Sequence, residues 1–290
     1  MGLYDYEWFK SGFLSMSGID LNSYKEGQMK RRIDNFLKKH QVDDYNTFLS
    51  LLRQDTEIHD SFITYLTINV SEFYRNPLQW QTLEKDIIPL LLKRFPKPLR
   101  IWSAACSTGD EPYSLAMVLS DFLPLSQVQI LATDMDAEVL AKAKAGCYTG
   151  QSIKGLPQRY RDKFLEKDEH GIYHVSNKLK SCISFKQHNL LKDGYPQRVH
   201  LIVCRNVMIY FTEEAKERIY RRFSDSLCKQ GILFVGSTEQ IIGAKKYNFQ
   251  GIQSFFYESR EFSHFFMKNS KKTTFGWFFD CFFSHFLVYL

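Results

Sequence analysis

Ile101-Trp102-Ser103-Ala104-Ala105-Cys106-Ser107-Thr108-Gly109-Asp110-Glu111-Pro112-Tyr113-Ser114 reads as a buried strand, a loop of small residues and the start of a helix. A doubly wound sheet presents its backbone to a nucleotide-like ligand through such a turn. Small side chains at Ala104, Ala105, Ser107 and Gly109 let a ligand approach the main chain. About thirty residues upstream, Asn69-Val70-Ser71-Glu72-Phe73-Tyr74-Arg75 places a polar run and a fixed cation ahead of the loop. Together the two segments form one candidate cofactor pocket.

Downstream, short apolar strands alternate with helices. Strands are expected at Leu99–Ser103, Val128–Thr133, His200–Cys204 and Ile232–Val235, and helices at Glu111–Phe122, Ala137–Ala145, Glu213–Leu227 and, in brief, near Glu239. That alternation predicts a parallel, doubly wound sheet. Residues 166–185 depart from it. Gly171 sits between Ile172-Tyr173-His174-Val175 and the flanking stretches, with Ile183-Ser184-Phe185 beyond, and a small antiparallel β insertion is expected. Upstream, residues 1 to about 65 read as all-helical. Met29, Ile33, Phe36 and Leu37 fall at helical spacing, an aspartate cap opens a helix after Asp43-Asp44, and Thr56–Leu66 gives another. Pro77 suits the first turn of a further helix through Trp80, Leu83 and Ile87. The resulting division is a helical domain with its linker at 1–75, an α/β domain at 76–260 and an aromatic tail at 261–290.

The totals limit the function class. The 290-residue chain carries a net charge of +6, too mild to imply nucleic acid and suited to an acidic partner. Its six cysteines are scattered without a Cys-x-x-Cys pair, so neither metal ligation nor a disulfide framework is expected. The N-terminus lacks the cationic and long apolar regions of a secretory signal. The tail from Phe275 to Leu290 is shorter than a membrane span and broken by Asp280 and His285. It reads as a disordered or frameshifted end, with an interfacial helix as the alternative. The expected location is cytoplasmic.

The cofactor follows from what the loop lacks. There is no Gly-x-Gly-x-x-Gly fingerprint and no Walker loop, so a diphosphate cradle is missing. The next strand nevertheless ends in Thr133-Asp134-Met135-Asp136, and Asp134, about 25 residues past Gly109, is placed to accept both hydroxyls of a ribose. A ribose site without a diphosphate cradle points to S-adenosylmethionine. For Asp134 the alternative is a cap on the following helix, a role Asp136 suits better. Glu111 either pairs with an ammonium or complements its helix dipole. Arg75 offers a cation for a carboxylate of cofactor or substrate.

The two opening runs, with Cys204-Arg205-Asn206-Val207-Met208-Ile209-Tyr210-Phe211 and Gly236-Ser237-Thr238-Glu239, resemble those of the CheR-type family. These are bacterial methyltransferases that act on glutamates of chemotaxis receptors. The resemblance runs in order over roughly residues 5 to 258. It implies a Rossmann-like S-adenosylmethionine methyltransferase domain with a small antiparallel β insertion, preceded by an all-helical N-terminal domain. It implies glutamate methyl esters and S-adenosylhomocysteine as products. Cofactor contacts are implied at Asn69, Ser71, Arg75, Glu111, Asp134, Asn189, Leu190, Arg205 and Asn206, with Arg75 and Tyr210 nearest the transferring methyl. The implied partner is the cytoplasmic helical bundle of a methyl-accepting receptor, met by the basic N-terminal helix and the β insertion. Between Lys25 and Lys39, six cations face two acids, a run that otherwise reads as a solvated helix face. Peptide tethering by the insertion is not expected.

A glutamate carboxylate, with a pKa near 4.3, is already ionised at neutral pH, so no strong general base is required. His188, beside Asn189, therefore reads as structural. Two rivals remain. A nucleic-acid methyltransferase would carry an Asp/Asn-Pro-Pro-Tyr/Phe run where this chain has Arg205–Tyr210. A non-catalytic cofactor-binding scaffold would not need Arg75, Glu111, Asp134 and Asn206 together.

Overall fold

A computed structural model describes residues 5–67 and 71–260. Four helices open the chain: α1 (Tyr6–Ser17), α2 (Glu26–Lys39), α3 (Tyr45–Gln54) and α4 (Thr56–Leu66). Asp5, Asp44 and Asp55 cap α1, α3 and α4 by accepting backbone N–H bonds, which satisfies donors each first turn would leave unpaired. Phe9, Phe13, Phe36, Phe48 and Phe62 are fully buried where the four helices meet. Phe48 and Phe62 cross edge-to-face at 4.9 Å. Helix α1 is an addition to the helices expected from periodicity.

Pro77 stands at the first turn of α5 (Pro77–Thr82), which runs through a π-helical turn at Leu83–Ile87 into α6 (Ile88–Arg94). The α/β domain follows as β1 (Leu99–Ala104), α7 (Asp110–Leu119), β2 (Val128–Asp134), α8 (Ala137–Ala145), β3 (Cys147–Tyr148), α9 (Gln158–Phe164), β4 (Leu165–Lys167), β5 (Tyr173–Val175), α10 (Asn177–Lys180), β6 (Ile183–Gln187), β7 (Val199–Cys204), α11 (Glu213–Ser226), β8 (Leu227–Val235), β9 (Phe249–Gln253) and β10 (Phe256–Ser259). Seven strands form one sheet in the order β6-β2-β1-β7-β8-β10-β9. All six residues of β7 are buried and Leu201–Cys204 is a continuous apolar run rather than an alternating one, with His200 before it accepting from Arg100 N–H at 3.1 Å. Leu201, Val203, Ile232 and Phe234 join the core that holds α6 and α7. Ile202, Cys204, Leu233 and Val235 pack with Ala215, Ile219 and Phe223 of α11 on the other face.

The Rossmann-like architecture with its helical N-terminal domain is as the sequence implied. Three local expectations change. Ile183–Phe185 is not part of the antiparallel insertion: β6 pairs in parallel with β2 at the edge of the large sheet. The insertion is the three-stranded sheet β3-β5-β4, whose third strand comes from Cys147-Tyr148. No helix forms at Glu239; the chain turns there, and the large sheet ends in an antiparallel hairpin, β10 pairing with β8 and β9. Among the described residues no helix is long and apolar enough to cross a membrane. The expectations for residues 261–290 lie outside the described residues, as does Asn69.

Candidate functional site

The carboxyl ends of β1, β2 and β7 open onto a crevice beneath the N-terminal helices, beside the β1–β7 neighbours where the strand order reverses. Backbone in the left-handed region shapes the first turn, with φ of 63° at Ala105, 48° at Ser107 and 92° at Gly109. Such values strain residues other than glycine and are kept only where the surroundings fix them. Here Cys106 N–H donates to Thr133 O at 2.8 Å and Ser107 N–H to Asp134 Oδ2 at 2.8 Å. At Gly109 a Cβ would lie 2.9 Å from both Ala143 Cβ and the Tyr148 hydroxyl, so helix α8 approaches too closely for any side chain.

Asp134 is buried at the tip of β2. Its Oδ1 accepts from Asp136 N–H at 3.1 Å, and burial pushes its carboxyl up to about 6. The cap of α8 is Asp136, which accepts from Glu138 and Val139, leaving Asp134 facing the crevice. Glu111, in the first turn of α7, accepts from Ser103 Oγ at 2.8 Å and lies 3.6 Å from Arg205 Nη1. Burial raises its carboxyl against the pull of Arg205. Arg205 is itself buried, with its guanidinium 4.8 Å from the Phe234 ring centroid and 5.6 Å from that of Trp80.

That buried guanidinium also grips the segment that holds Arg75. Arg205 Nη2 donates to Arg75 O at 2.7 Å and to Gln79 Oε1 at 2.8 Å, and Trp80 Nε1 donates to the same Arg75 carbonyl at 2.9 Å. Tyr74 and Asn76 flank Arg75 with φ of 56° and 62°. The backbone at Arg75 is thus fixed on both sides, and its half-buried side chain lines the polar end of the crevice with Ser71, Glu111, Asn206 and Tyr210. Ser71 hydrogen-bonds the buried Asp110 carboxylate.

Glu239 has a structural role that its neighbours in sequence do not announce. Its carboxylate accepts from three backbone N–H groups: Asn206 at 2.6 Å, Met208 at 2.7 Å and Gly236 at 2.8 Å. One buried acid therefore ties the loop after β7, where Asn206 takes a φ of 61°, to the end of β8. A Cβ on Gly236 would stand 2.5 Å from Glu239 Oε2, so the bond needs glycine there. The late Gly-Ser-Thr-Glu run was the available signal.

The crevice widens beyond Asp134 into a cavity of about 270 Å³ walled by both domains, including Tyr24, Met29, Arg32 and Leu66 on one side and Asn189, Leu190 and Tyr210 on the other. Lys25 N–H donates to Tyr210 O, and Thr212 N–H to Ser23 O, both at 2.9 Å, so the helical domain is stitched to the Tyr210 loop. Asn189 Oδ1 accepts from Leu191 N–H at 2.9 Å, which shapes the turn that lines the wall. His188 is buried edge-to-face against Trp102 at 5.4 Å, a packing position. Of the implied site residues in the described chain, all line this connected space.

The cavity chemistry fits S-adenosylmethionine. Asp134 offers a carboxylate at the strand tip, Glu111 an acid for an ammonium, and the wall beyond is largely apolar. Ser107 Oγ, on the same wall, is buried without a hydrogen-bond partner among the described residues.

Comparison with known proteins places this geometry. Residues 69–256 match the CheR methyltransferase SAM-binding domain, and residues 4–67 match the CheR methyltransferase all-alpha domain. A chemotaxis protein methyltransferase of Listeria innocua is 42% identical over 254 residues, covering 87% of this chain and 96% of the relative. One from Salmonella typhimurium is 35% identical over 232 residues, covering 77% and 79%. With both domain matches in order and the crevice between them built as above, the chain belongs to the CheR family of S-adenosylmethionine-dependent chemotaxis methyltransferases.

Proposed function

We propose that this protein transfers the methyl group of S-adenosylmethionine to glutamate carboxylates of methyl-accepting chemotaxis receptors in the cytoplasm. The observation that carries the reading is Arg75, held by its own carbonyl at the polar end of the crevice opposite Tyr210. An anionic acceptor entering there meets a guanidinium it can pair with.

S-adenosylmethionine supplies an electrophilic methyl on a sulfonium. Asp134 would accept from the ribose hydroxyls, Glu111 would take the ammonium in competition with Arg205, and Asn189, Leu190 and the N-terminal helices would enclose the base. Ser71, Arg205 and Asn206 complete the polar wall, with Asn69 joining from outside the described residues. Arg75 and Tyr210 orient the incoming carboxylate. The acceptor needs no base, so the residues act by alignment and by excluding water. The assay is transfer of a labelled methyl to receptor-containing membranes followed by mild base. Label released as methanol marks a carboxyl ester; label that stays on protein contradicts the reading.

Asp134 makes cofactor binding depend on pH. Its ionised form accepts both ribose bonds, so S-adenosylhomocysteine affinity should fall as pH drops through about 6. Asp134→Asn should bind weakly at every pH with that step gone. In the free protein the sign is opposite. A folded-state pKa above the unfolded 3.9 favours folding as pH falls from above 6 towards 4, and that contribution is lost on raising the pH. Calorimetric titrations at several pH values separate the two, and a pH-independent Kd in the wild type would contradict the assignment.

The exposed cations of α2 support a receptor-docking surface there. Lys30 pairs with Asp34 at 2.8 Å, and Arg32 turns inward to the Tyr65 carbonyl and ring. Lys25, Arg31, Lys38 and Lys39 remain exposed on α2 and its N-terminus. Docking through these four predicts a receptor KM that rises with salt, because exposed charges are screened beyond about 8 Å at physiological ionic strength. A KM flat between low and high salt would remove α2 from the interface.

A further inference from the structure

The small antiparallel sheet carries a cluster that the methyl transfer does not use. Cys147 on β3 and Glu166 on β4 both stand directly opposite His174 on β5, and directly opposed residues share a face. Cys147 Sγ lies 3.4 Å from His174 Nδ1, and His174 Nε2 lies 2.7 Å from Asp168 Oδ2. Asp168 is held in turn, its Oδ1 accepting from the backbone N–H of His170 and of Ile172, each at 2.9 Å. A carboxylate on Nε2 keeps the ring proton there and leaves the Nδ1 lone pair facing the sulfur. Nucleophile, base and orienting acid are therefore in sequence. Sulfur and carboxylate occupy opposite ring nitrogens, so the three do not converge on a metal.

The other thiols differ. Cys106 and Cys204 are buried, and burial pushes both thiols well up; Cys182 is half-buried and pushed up to about 11. Cys228 is half-buried, and Cys281 lies outside the described residues. Cys147 alone among the described cysteines is exposed. The Cys147 thiol also reaches Ala145 O at 3.5 Å, a carbonyl to which Lys180 Nζ donates at 2.6 Å.

We propose that Cys147 is a thiol-modification site, a nucleophile activated by the His174–Asp168 pair that exchanges with small disulfides. His174 Nδ1 takes the thiol proton, and the thiolate attacks one sulfur of the disulfide. The new Cys147 S–S bond forms as the disulfide bond breaks. The departing thiolate leaves with the electron pair and collects the proton from His174. The disulfide is the oxidant, and one free small thiol is released for each protein modified. The groups that set the pH range are His174, Asp168, Glu166 across the sheet and Lys180.

The test is the rate of reaction of the full chain with dithionitrobenzoate from pH 6 to 8, with the modified cysteine located by mass spectrometry. The wild type should be modified first at Cys147, at a rate that changes little between pH 6.5 and 8. His174→Gln should react at least tenfold more slowly at pH 6.5. It should also recover the slope of an ordinary thiol, about tenfold per pH unit below 8.5. Asp168→Asn should fall between the two, and both variants should melt with the wild type because the cluster is at the surface. Cys147→Ser should lose the fast phase. A wild-type slope equal to that of His174→Gln, or another cysteine reacting first, would overturn the proposal.

Discussion

Arg75→Ala should lower kcat by about 100-fold while the protein stays folded. The magnitude is that of a misaligned reacting pair, since the acceptor is already ionised and only its placement is lost. The fold should survive because Arg205 and Trp80 hold the Arg75 carbonyl, which alanine keeps, at 2.7 and 2.9 Å. Arg75→Lys should recover part of the rate, with the charge present and the bidentate fork missing. Single-turnover methyl transfer beside a thermal melt checks both halves. A folded Arg75→Ala protein with wild-type turnover would contradict the role.

Glu239→Ala should have the largest effect on the site as a whole. It strips the acceptor from three backbone N–H groups at once, on Asn206, Met208 and Gly236. Each buried donor left unpaired costs about 1–3 kcal/mol, less where water enters. With water partly replacing the lost acceptor, a net loss of about 3 kcal/mol lowers Tm by roughly 6–12 °C for a domain of this size. Losing the tie also frees Asn206 and Tyr210 together, so S-adenosylhomocysteine affinity should fall more than tenfold. Glu239→Gln keeps one acceptor and presents an amide to the remaining donors, so it should recover little. Unchanged Tm and Kd in Glu239→Ala would show that the loop holds its shape without the carboxylate.

Glu239 also separates what is local in this sequence from what is not. Segments whose logic is local were legible: the small-residue loop at Ala104–Gly109, the Asp134 strand tip, Asp136 as the cap of α8, and the strands whose burial on both faces forces continuous apolar runs. What was not legible depends on partners far along the chain. The resemblance names Arg205 as a cofactor contact, but nothing in its spacing shows that it is buried between Trp80 and Phe234 and braces Arg75 from 130 residues away. Ile183–Gln187 alternates like a hairpin strand, and only its register with β2 shows it to be a parallel edge. The final hairpin has no glycine turn to announce it; Phe255 adopts a φ of 70° in its place. The Cys147–His174–Asp168 row unites residues that no spacing motif links.

The most direct measurement is a crystal structure with S-adenosylhomocysteine bound. The account predicts the ribose hydroxyls on Asp134, the base between Leu190 and the N-terminal helices, and the sulfur directed toward the space between Arg75 and Tyr210. A ligand lying elsewhere, or a sulfur turned away from Arg75 with Asp134 uncontacted, would contradict it.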